Sequence, residues 1–497
     1  MFQGCRRLVL AIFLIVSFGA AQETHVHNSR EKLGMVSFPT SCKAAVQPEF
    51  NRGIALLHSF AYAAAGDSFR QVAKQDPGCA MAHWGSAMAY FRQLWEPAIL
   101  PDSMATAEAE IDLALRTGPT TDRERQFIQA AASLFHDAST VPYSTRVRDY
   151  ERQMAALANE NHKDVEAQLF YALALLANAS PADKTHSNQK HAADILEPLY
   201  RAYPQHPGIA HYLIHAYDNA ELAARGLPMA RAYSKIAPSA PHALHMPSHI
   251  FTRLGLWDDS IASNSAAKDA AHKEGDIGEE LHSMDYLVYA YLQSGRESEA
   301  AHLLQQLKVM PKLDTADFKV GYAATAMPIR YFVERQKWAD AAAVVAPTDA
   351  PPHVIAIALW AQGLGLARSG HATETGKQIS TLQQIEENLS TSGNTYWSSQ
   401  VRVMKREVMA WSAQAESKGD DAVALLRQAA DEEDATEKLP VTPGPIVPAR
   451  EQLGDLLLQQ GHPDLAATEF HSALVNAPGR RGALYGASEA AKQLAKR

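Results

Sequence analysis

Two short stretches of the chain carry pairs of histidines at a spacing that suits metal binding. The stretch HYLIHAYD places His211 and His215 four residues apart, and HMPSHIF does the same with His245 and His249. Side chains at positions i and i+4 are neighbours on an α-helix, so both imidazoles of a pair can reach one ion. We therefore predict a single metal site with these four histidines as its ligands.

Four imidazoles suit a divalent transition metal, and zinc, iron, copper and manganese all remain open. Asp218 follows His215 on the same helix face and is expected to orient an imidazole through a hydrogen bond. His242 shares its face with the second pair and is a further candidate for such a role. Without a metal, the same groups would form a hydrogen-bonded polar groove or contact a peptide carboxylate, and both alternatives stay open.

The pattern continues into two later segments. In LHSMDYLVYAY the corresponding positions hold His282, Asp285 and Tyr289, and in AMPIRYF the last position holds Arg330. We take His282 and Asp285 as additional ligands or as groups that orient ligands. If the protein is an enzyme, Tyr289 and Arg330 are candidates for proton transfer and anion binding.

These segments recur because the chain carries helical repeats. Its two ends match the tetratricopeptide (TPR) pattern, in which small and large apolar residues interlock two antiparallel helices. The matching residues are Gly53, Ala65, Phe69 and Pro77 near one end, and Gly454, Gly461, Ala466, Phe470 and Pro478 near the other. Strand patterns are nearly absent and alanine-rich helical segments run throughout. We predict an all-α, right-handed, TPR-like helical-repeat solenoid in which Ala466 and Phe470 are buried.

The TPR resemblance also places the histidines. The two pairs are 34 residues apart, which is one TPR period. In TPR proteins the corresponding positions line the concave groove, so the resemblance implies that these histidines do so here. Pro247 and Pro328, each preceded by methionine, share one repeat position, where a proline is expected to tilt the helix or to start it late.

The chain resembles, more specifically, a family of bacterial exported TPR proteins without an assigned activity. The resemblance spans most of the chain through stretches such as DPGCAMAHWG, HPGIAHYLIHAYD, APHALHMPSHIFTRLGLWDDSIASN and EKLPVTPGPIVPARE. It implies the fold and the location of the site, but no reaction. Where Leu439 stands, the family usually has a histidine, so no ligand from this stretch is expected.

The first residues, MFQGCRRLVLAIFLIVSFGAAQ, are typical of a secretory signal peptide cleaved after Ala21. We expect a periplasmic or secreted protein without a membrane span after cleavage. Cys42 and Cys79 remain after cleavage and are expected to form a disulfide in an oxidising compartment, with two buried thiols as the alternative. The net charge is −9 and no basic run with interleaved aromatic residues occurs, so nucleic acid is not an expected partner.

The expected order of segments follows from these features. Residues 1–21 are the signal peptide, 22–45 a tail, 46–430 the repeats with a histidine-rich groove at about 206–330, 431–450 an acidic and proline-rich loop, and 451–497 a last repeat with a capping helix. We interpret the loop as a linker, with a binding loop as the alternative. Two function classes remain open: a metalloprotein that is possibly catalytic, and a scaffold whose groove binds a peptide or protein.

Overall fold

The structure is a computed structural model that describes residues 31–92, 94 and 101–496. The predicted signal peptide, residues 1–21, lies outside the described residues. From Lys32 onward the chain forms one compact unit. Its regular structure, over the described ranges, is helical without strands. Among the described helices, none combines the length and the apolar character that a membrane span requires.

Most helices pack against the next helix of the chain. The first twelve are α1 Gln47–His58, α2 Tyr62–Gln75, α3 Ala80–Met88, α4 Pro101–Thr117, α5 Asp122–Phe135, α6 Tyr143–Glu160, α7 Val165–Ala177, α8 Ser187–Ala202, α9 Pro207–Tyr217, α10 Ala223–Ile236, α11 Pro241–His245 and α12 Pro247–Arg253. The others are α13 Trp257–Glu274, α14 Ile277–Gln293, α15 Glu297–Val309, α16 Phe318–Glu334, α17 Trp338–Ala342, α18 Pro352–Arg368, α19 Gly376–Thr391, α20 Thr395–Ala415, α21 Gly419–Asp434, α22 Ala449–Gln459, α23 Pro463–Asn476 and α24 Arg481–Leu494. Single 3-10 turns lie at Ala44–Val46 and Ala372–Glu374.

The repeats at both ends interlock in the same way. A Cβ placed on Gly53 would lie 2.8 Å from the ring of Phe69, and one on Gly454 would lie 2.7 Å from Phe470. A glycine in the first helix of each pair therefore lets the phenylalanine of the second helix approach its backbone. Phe470 and Ala466 are fully buried, which confirms the predicted C-terminal register. The fold is an all-α helical-repeat solenoid of the TPR type.

The two prolines at one repeat position have different effects. Pro247 is the first residue of α12, so the helix ends at His245 and restarts after Met246. Pro328 instead lies inside the continuous helix α16. Pro247 thus begins its helix, which is the late start given as one of the two expectations, whereas Pro328 does not begin a helix.

The N-terminal segment is anchored from Lys32 onward, although the sequence suggested a tail. The amide of Met35 donates to the carbonyl of Gln205 at 2.9 Å, and Phe38 is fully buried. Cys42 and Cys79 are joined as a disulfide, with their Cα atoms 4.9 Å apart. The segment therefore fastens the first repeat to later ones.

The loop in the acidic and proline-rich stretch is shorter than the predicted 431–450, because α21 continues to Asp434 and α22 begins at Ala449. Residues 435–448, here called the covering loop, connect α21 to α22. Val441, Thr442 and Ile446 of this loop are buried. The covering loop is thus packed against the repeats and is not a free linker.

Candidate metal centre

The first histidine pair lies on α9 with its ring nitrogens in contact. The Nε2 atoms of His211 and His215 are 3.0 Å apart. The Nδ1 atom of His211 donates to the backbone carbonyl of His58, at 2.6 Å, because a carbonyl can only accept. In neutral His211 the proton is therefore on Nδ1, and Nε2 presents a lone pair towards His215.

The second pair spans the helix break and has both outer nitrogens engaged. Nδ1 of His245 lies 2.7 Å from Oδ1 of Asn264, and Nδ1 of His249 lies 2.8 Å from Oδ2 of Asp218. The Asn264 amide is oriented by its Nδ2, which donates to the carbonyl of Ser260 at 2.9 Å. Both Nδ1 atoms therefore carry the proton in the neutral rings, and both Nε2 atoms present lone pairs. Those Nε2 atoms are only 3.0 Å apart.

Each pair is completed by one further histidine. Candidate ligand atoms of His211, His215 and His242 all lie within 4.8 Å of one another, and so do those of His245, His249 and His282. The rings of His215 and His249, 5.9 Å apart, connect the two groups, here called the histidine triads. The four predicted ligands thus divide into two adjacent triads, where the sequence predicted one shared site.

The triads are enclosed rather than open to a groove. Five of the six histidines are at most 4% exposed, and His215 is 9% exposed. Burial lowers the pKa of five of these imidazoles, and neighbouring histidines lower it further. The five are His211, His215, His245, His249 and His282. The imidazoles are therefore neutral at pH 7, which is the form that ligates a metal.

Two carboxylates support the triads from outside. Asp218 accepts from Lys438 at 2.9 Å and from Arg253 at 2.8 Å, besides its contact with His249. Burial alone would raise the pKa of Asp218, but Lys438 and Arg253 outweigh burial and hold it well below its usual range. Asp218 thus orients an imidazole, as the sequence suggested, but the ring belongs to the second triad. Glu279 lies 3.1 Å from Nδ1 of His242 in the same way.

Three predicted residues lie together at a different place. The guanidinium of Arg330 pairs with Asp285, with Nε 3.2 Å from Oδ1, and lies 5.2 Å above the ring of Tyr289. Arg330 also donates to the carbonyl of Pro445 at 3.4 Å. Among the described residues, no group of candidate metal ligands includes Asp285. The Arg330–Asp285 pair is fully buried and contacts the covering loop through Arg330.

Sequence reasoning missed Tyr286, whose ring lies beside the second triad. Its centroid is 4.8 Å from that of His245 and 5.1 Å from that of His249. Its hydroxyl lies 3.1 Å from the carbonyl of Thr442, so the covering loop closes over the triad through this tyrosine. Its position four residues after His282 was the available indication, because that spacing puts both on one helix face.

A third group of potential ligands lies next to the first triad. Glu166 bridges His58, at 2.8 Å from Nε2, and His206, at 3.1 Å from Nε2. Burial would raise the pKa of Glu166, but the two histidines outweigh it and lower that pKa to about 2. Nδ1 of His58 reaches the hydroxyl of Tyr212 at 2.7 Å. Both ring nitrogens of His58 therefore have hydrogen-bond partners, Glu166 and Tyr212. In the second triad, by contrast, the Nε2 lone pairs of His245 and His249 face each other.

Comparisons with known proteins extend no function to this chain. No protein-family profile and no curated protein matches it. Similar solved structures include the Cut9–Hcn1 heterotetramer of the APC/C, with 13% identity, TM-score 0.37, and 92% of this chain and 78% of that chain covered. Yeast Tom70 has 11% identity and TM-score 0.33 with 90% and 88% covered, and the TPR domain of P58(IPK) has 11% and 0.22 with 91% and 99% covered.

Proposed function

We propose that the protein binds a divalent transition metal through the histidine triads. The supporting observation is the pair of Nε2 lone pairs, from His245 and His249, that face each other at 3.0 Å. Two lone pairs at this distance repel unless a cation lies between them or a proton is shared. Their outer hydrogen bonds to Asn264 and Asp218 fix the arrangement, as outer partners commonly do for histidines that ligate metals.

The donor set limits the class of metal. All six groups are imidazoles, which suit zinc, copper, iron or manganese, whereas calcium and magnesium prefer oxygen ligands. The four ligands predicted from sequence are kept, and His242 and His282 complete them as the third member of each triad. Three imidazoles leave a tetrahedral ion one further position, as in catalytic zinc sites, so a metalloenzyme is the narrower form of this proposal.

Export is a part of the proposal that rests on the sequence. The N-terminal arginines and apolar run, and the resemblance to exported TPR proteins, favour the periplasm or the exterior. A disulfide between Cys42 and Cys79 fits an oxidising compartment, because such bonds are rare in the cytosol. Cell fractionation of the native protein tests this part by itself.

The second candidate is a scaffold that binds a peptide or protein. The fold class favours it, because stacked helical repeats present extended concave surfaces that such proteins use for partners. In that case the triads would be a buried polar network that holds the repeats together. The covering loop would then fill part of the surface that a partner needs.

Elemental analysis of purified protein, offered zinc, iron, copper and manganese in turn, separates the two candidates. We expect bound metal in the wild type and a loss of at least half of it in His249→Ala. His302→Ala is the matched control, because His302 is exposed and its Nε2 lies 3.0 Å from Nε2 of Gln306. Metal content near zero in the wild type, or content unchanged by His249→Ala, would overturn the metal proposal and leave the scaffold.

A further inference from the structure

A separate cavity lies beside the covering loop, between α18, α20 and α21. Its volume is about 150 Å³. Its lining includes five aromatic side chains, four acids (Glu407, Glu433, Asp434 and Glu437) and four bases (Lys184, Arg253, Lys438 and Arg450). We call it the aromatic cavity and define it by Tyr322, Trp360, Tyr396, Trp397, Glu407 and Glu433.

Glu407 in this cavity has only neutral hydrogen-bond partners. Its Oε2 accepts from the indole Nε1 of Trp360 at 2.5 Å, and its Oε1 accepts from the amide of Gln452 at 2.6 Å. The side chain is 2% exposed. A buried carboxylate without a cationic partner is costly, so this group favours its protonated form until a cation lies beside it.

The four basic side chains of the cavity lining are already paired with acids other than Glu407. Arg253 and Lys438 both bind Asp218, and Lys184 binds Glu437. Arg450 pairs with Asp434 and two further carboxylates. None of these pairs includes Glu407, so the basic side chains of the lining are all engaged by other acids.

The second carboxyl group, Glu433, is close to charges of both signs. Its Oε2 accepts from the backbone amide of Ala449 at 2.8 Å. Burial raises its pKa to about 8, Asp434 adds to the rise, and Arg480 and Arg450 oppose it. Burial, followed by Glu433 itself, raises the pKa of Glu407 well above its usual range. At neutral pH the two carboxyl groups therefore retain protons that a bound cation would displace.

We propose that the aromatic cavity binds an organic cation, with an alkylammonium group placed against Glu407 and the aromatic walls. Rings of tryptophan and tyrosine attract an ammonium group through their negative faces, and the attraction grows when the group is desolvated. An anion would find the four basic side chains of the lining already paired with acids. An alkyl chain with one positive end matches both the apolar walls and the acid.

The proposal does not depend on metal binding, and calorimetry with n-butylammonium tests it. We expect binding to the wild type with release of protons at pH 7, measured as a dependence of the binding heat on the buffer. Affinity should tighten as pH rises towards 8, because the bound cation then has fewer protons to displace from the two carboxyl groups. Glu407→Gln should weaken binding at least tenfold, while the exposed control Glu416→Gln should not change it.

Butan-1-ol, a neutral molecule of similar size, is the second probe. The proposal fails if butan-1-ol binds as tightly as n-butylammonium, or if n-butylammonium does not bind at millimolar concentration. Thermal melting establishes whether Glu407→Gln is folded. If it is not folded, Glu433→Gln takes its place, since that variant keeps an acceptor for the amide of Ala449. Weakened binding of n-butylammonium by Glu433→Gln would support the proposal, and unchanged binding would overturn it.

Discussion

The hydrogen bond between Asn264 and His245 sets which nitrogen of the imidazole is free. Asn264 is fully buried, and its Nδ2 is held by the carbonyl of Ser260, so only Oδ1 can face the ring. The proton of His245 is thereby kept on Nδ1, away from His249. If this acceptor were lost, His245 could move its proton to Nε2 and donate it to His249, and the facing lone pairs would disappear.

Asn264→Ala is therefore expected to lower metal affinity by about 10- to 100-fold, the range typical of outer partners of ligating histidines. Competition with a coloured zinc chelator measures the change. Asn188→Ala is the matched control, because Asn188 donates to the carbonyl of Leu175 and contacts no triad. Equal affinities for the two folded variants would contradict a role of Asn264 in the tautomer.

At the scale of elements, each repeat depends on a close approach between two helices. Gly454 of α22 faces Phe470 of α23, and a methyl group there would lie 2.7 Å from the ring. Gly454→Ala should lower the free energy of unfolding by about 1–3 kcal/mol through overpacking. Gly376→Ala is the control, since no atom lies within 4 Å of the added Cβ and alanine favours the helix. Equal midpoints in denaturant titrations would refute the interlock.

The covering loop is a second element with a specific anchor. Nζ of Lys438 lies 2.9 Å from Oδ2 of Asp218, and both side chains are less than 9% exposed. Lys438→Met keeps the apolar stem but removes the charge, so amides around Val441 should exchange hydrogen faster because the loop detaches more often. Lys492→Met, which removes an exposed pair with Glu489, serves as the control. Unchanged exchange around Val441 would mean that the pair does not hold the loop.

Some elements of the fold could be predicted from the sequence and others could not. The register of α23 was predictable, because glycine, alanine and phenylalanine interlock locally within one repeat. The histidine pairs were predictable for the same reason, since repeat spacing transfers a helix face from one helix to the next. The covering loop was not, because its contacts with Asp218 and Arg330 join residues far apart in the chain.

The same limit applies to contacts between repeats. The carbonyl of His58, on the first helix, accepts from His211, so a distant repeat fixes the tautomer of a predicted ligand. No local pattern encodes that meeting. The break after His245 was likewise not predictable, because the proline at the same position of α16 shows that sequence position alone does not produce a break.

At the scale of the whole molecule, distant repeats are in direct contact. The indole of Trp257 donates to the carbonyl of Gly479 at 3.3 Å, and the amide of Arg481 donates to the side chain of Gln293 at 2.9 Å. Several ionisable groups, among them Glu433, Asp455 and His353, are largely buried among the packed helices, so their protonation affects the stability of the fold. Two kinds of group, with opposite shifts in pKa, determine how stability depends on pH.

Several buried acids have raised pKa values in the folded state, and for two of them the value lies near neutrality. Burial raises the pKa of Glu433 to about 8 and that of Asp455 to about 7. Such acids hold more protons when folded than when unfolded, so their contribution to stability is lost as pH rises from about 4.5 to 8. Burial instead lowers the pKa of His353 to about 4, so stability is lost as pH falls from about 6.5 to 4.

From pH 6.5 to 8 the folded, metal-free protein loses the proton of Glu433, which lowers its stability, whereas the histidines with lowered pKa values raise it near pH 6.5; the slope of stability against pH is the sum of both effects. Each fully shifted group contributes up to about 1.4 kcal/mol per pH unit. Thermal melts in a chelating buffer at half-unit steps measure this slope. Relative to the wild type, Glu433→Gln should shift this slope towards greater stability at high pH, because the amide does not titrate yet still accepts from Ala449, whereas the exposed Glu416→Gln should leave it as in the wild type. A slope that Glu433→Gln leaves unchanged would show that Glu433 keeps an ordinary pKa in the folded protein.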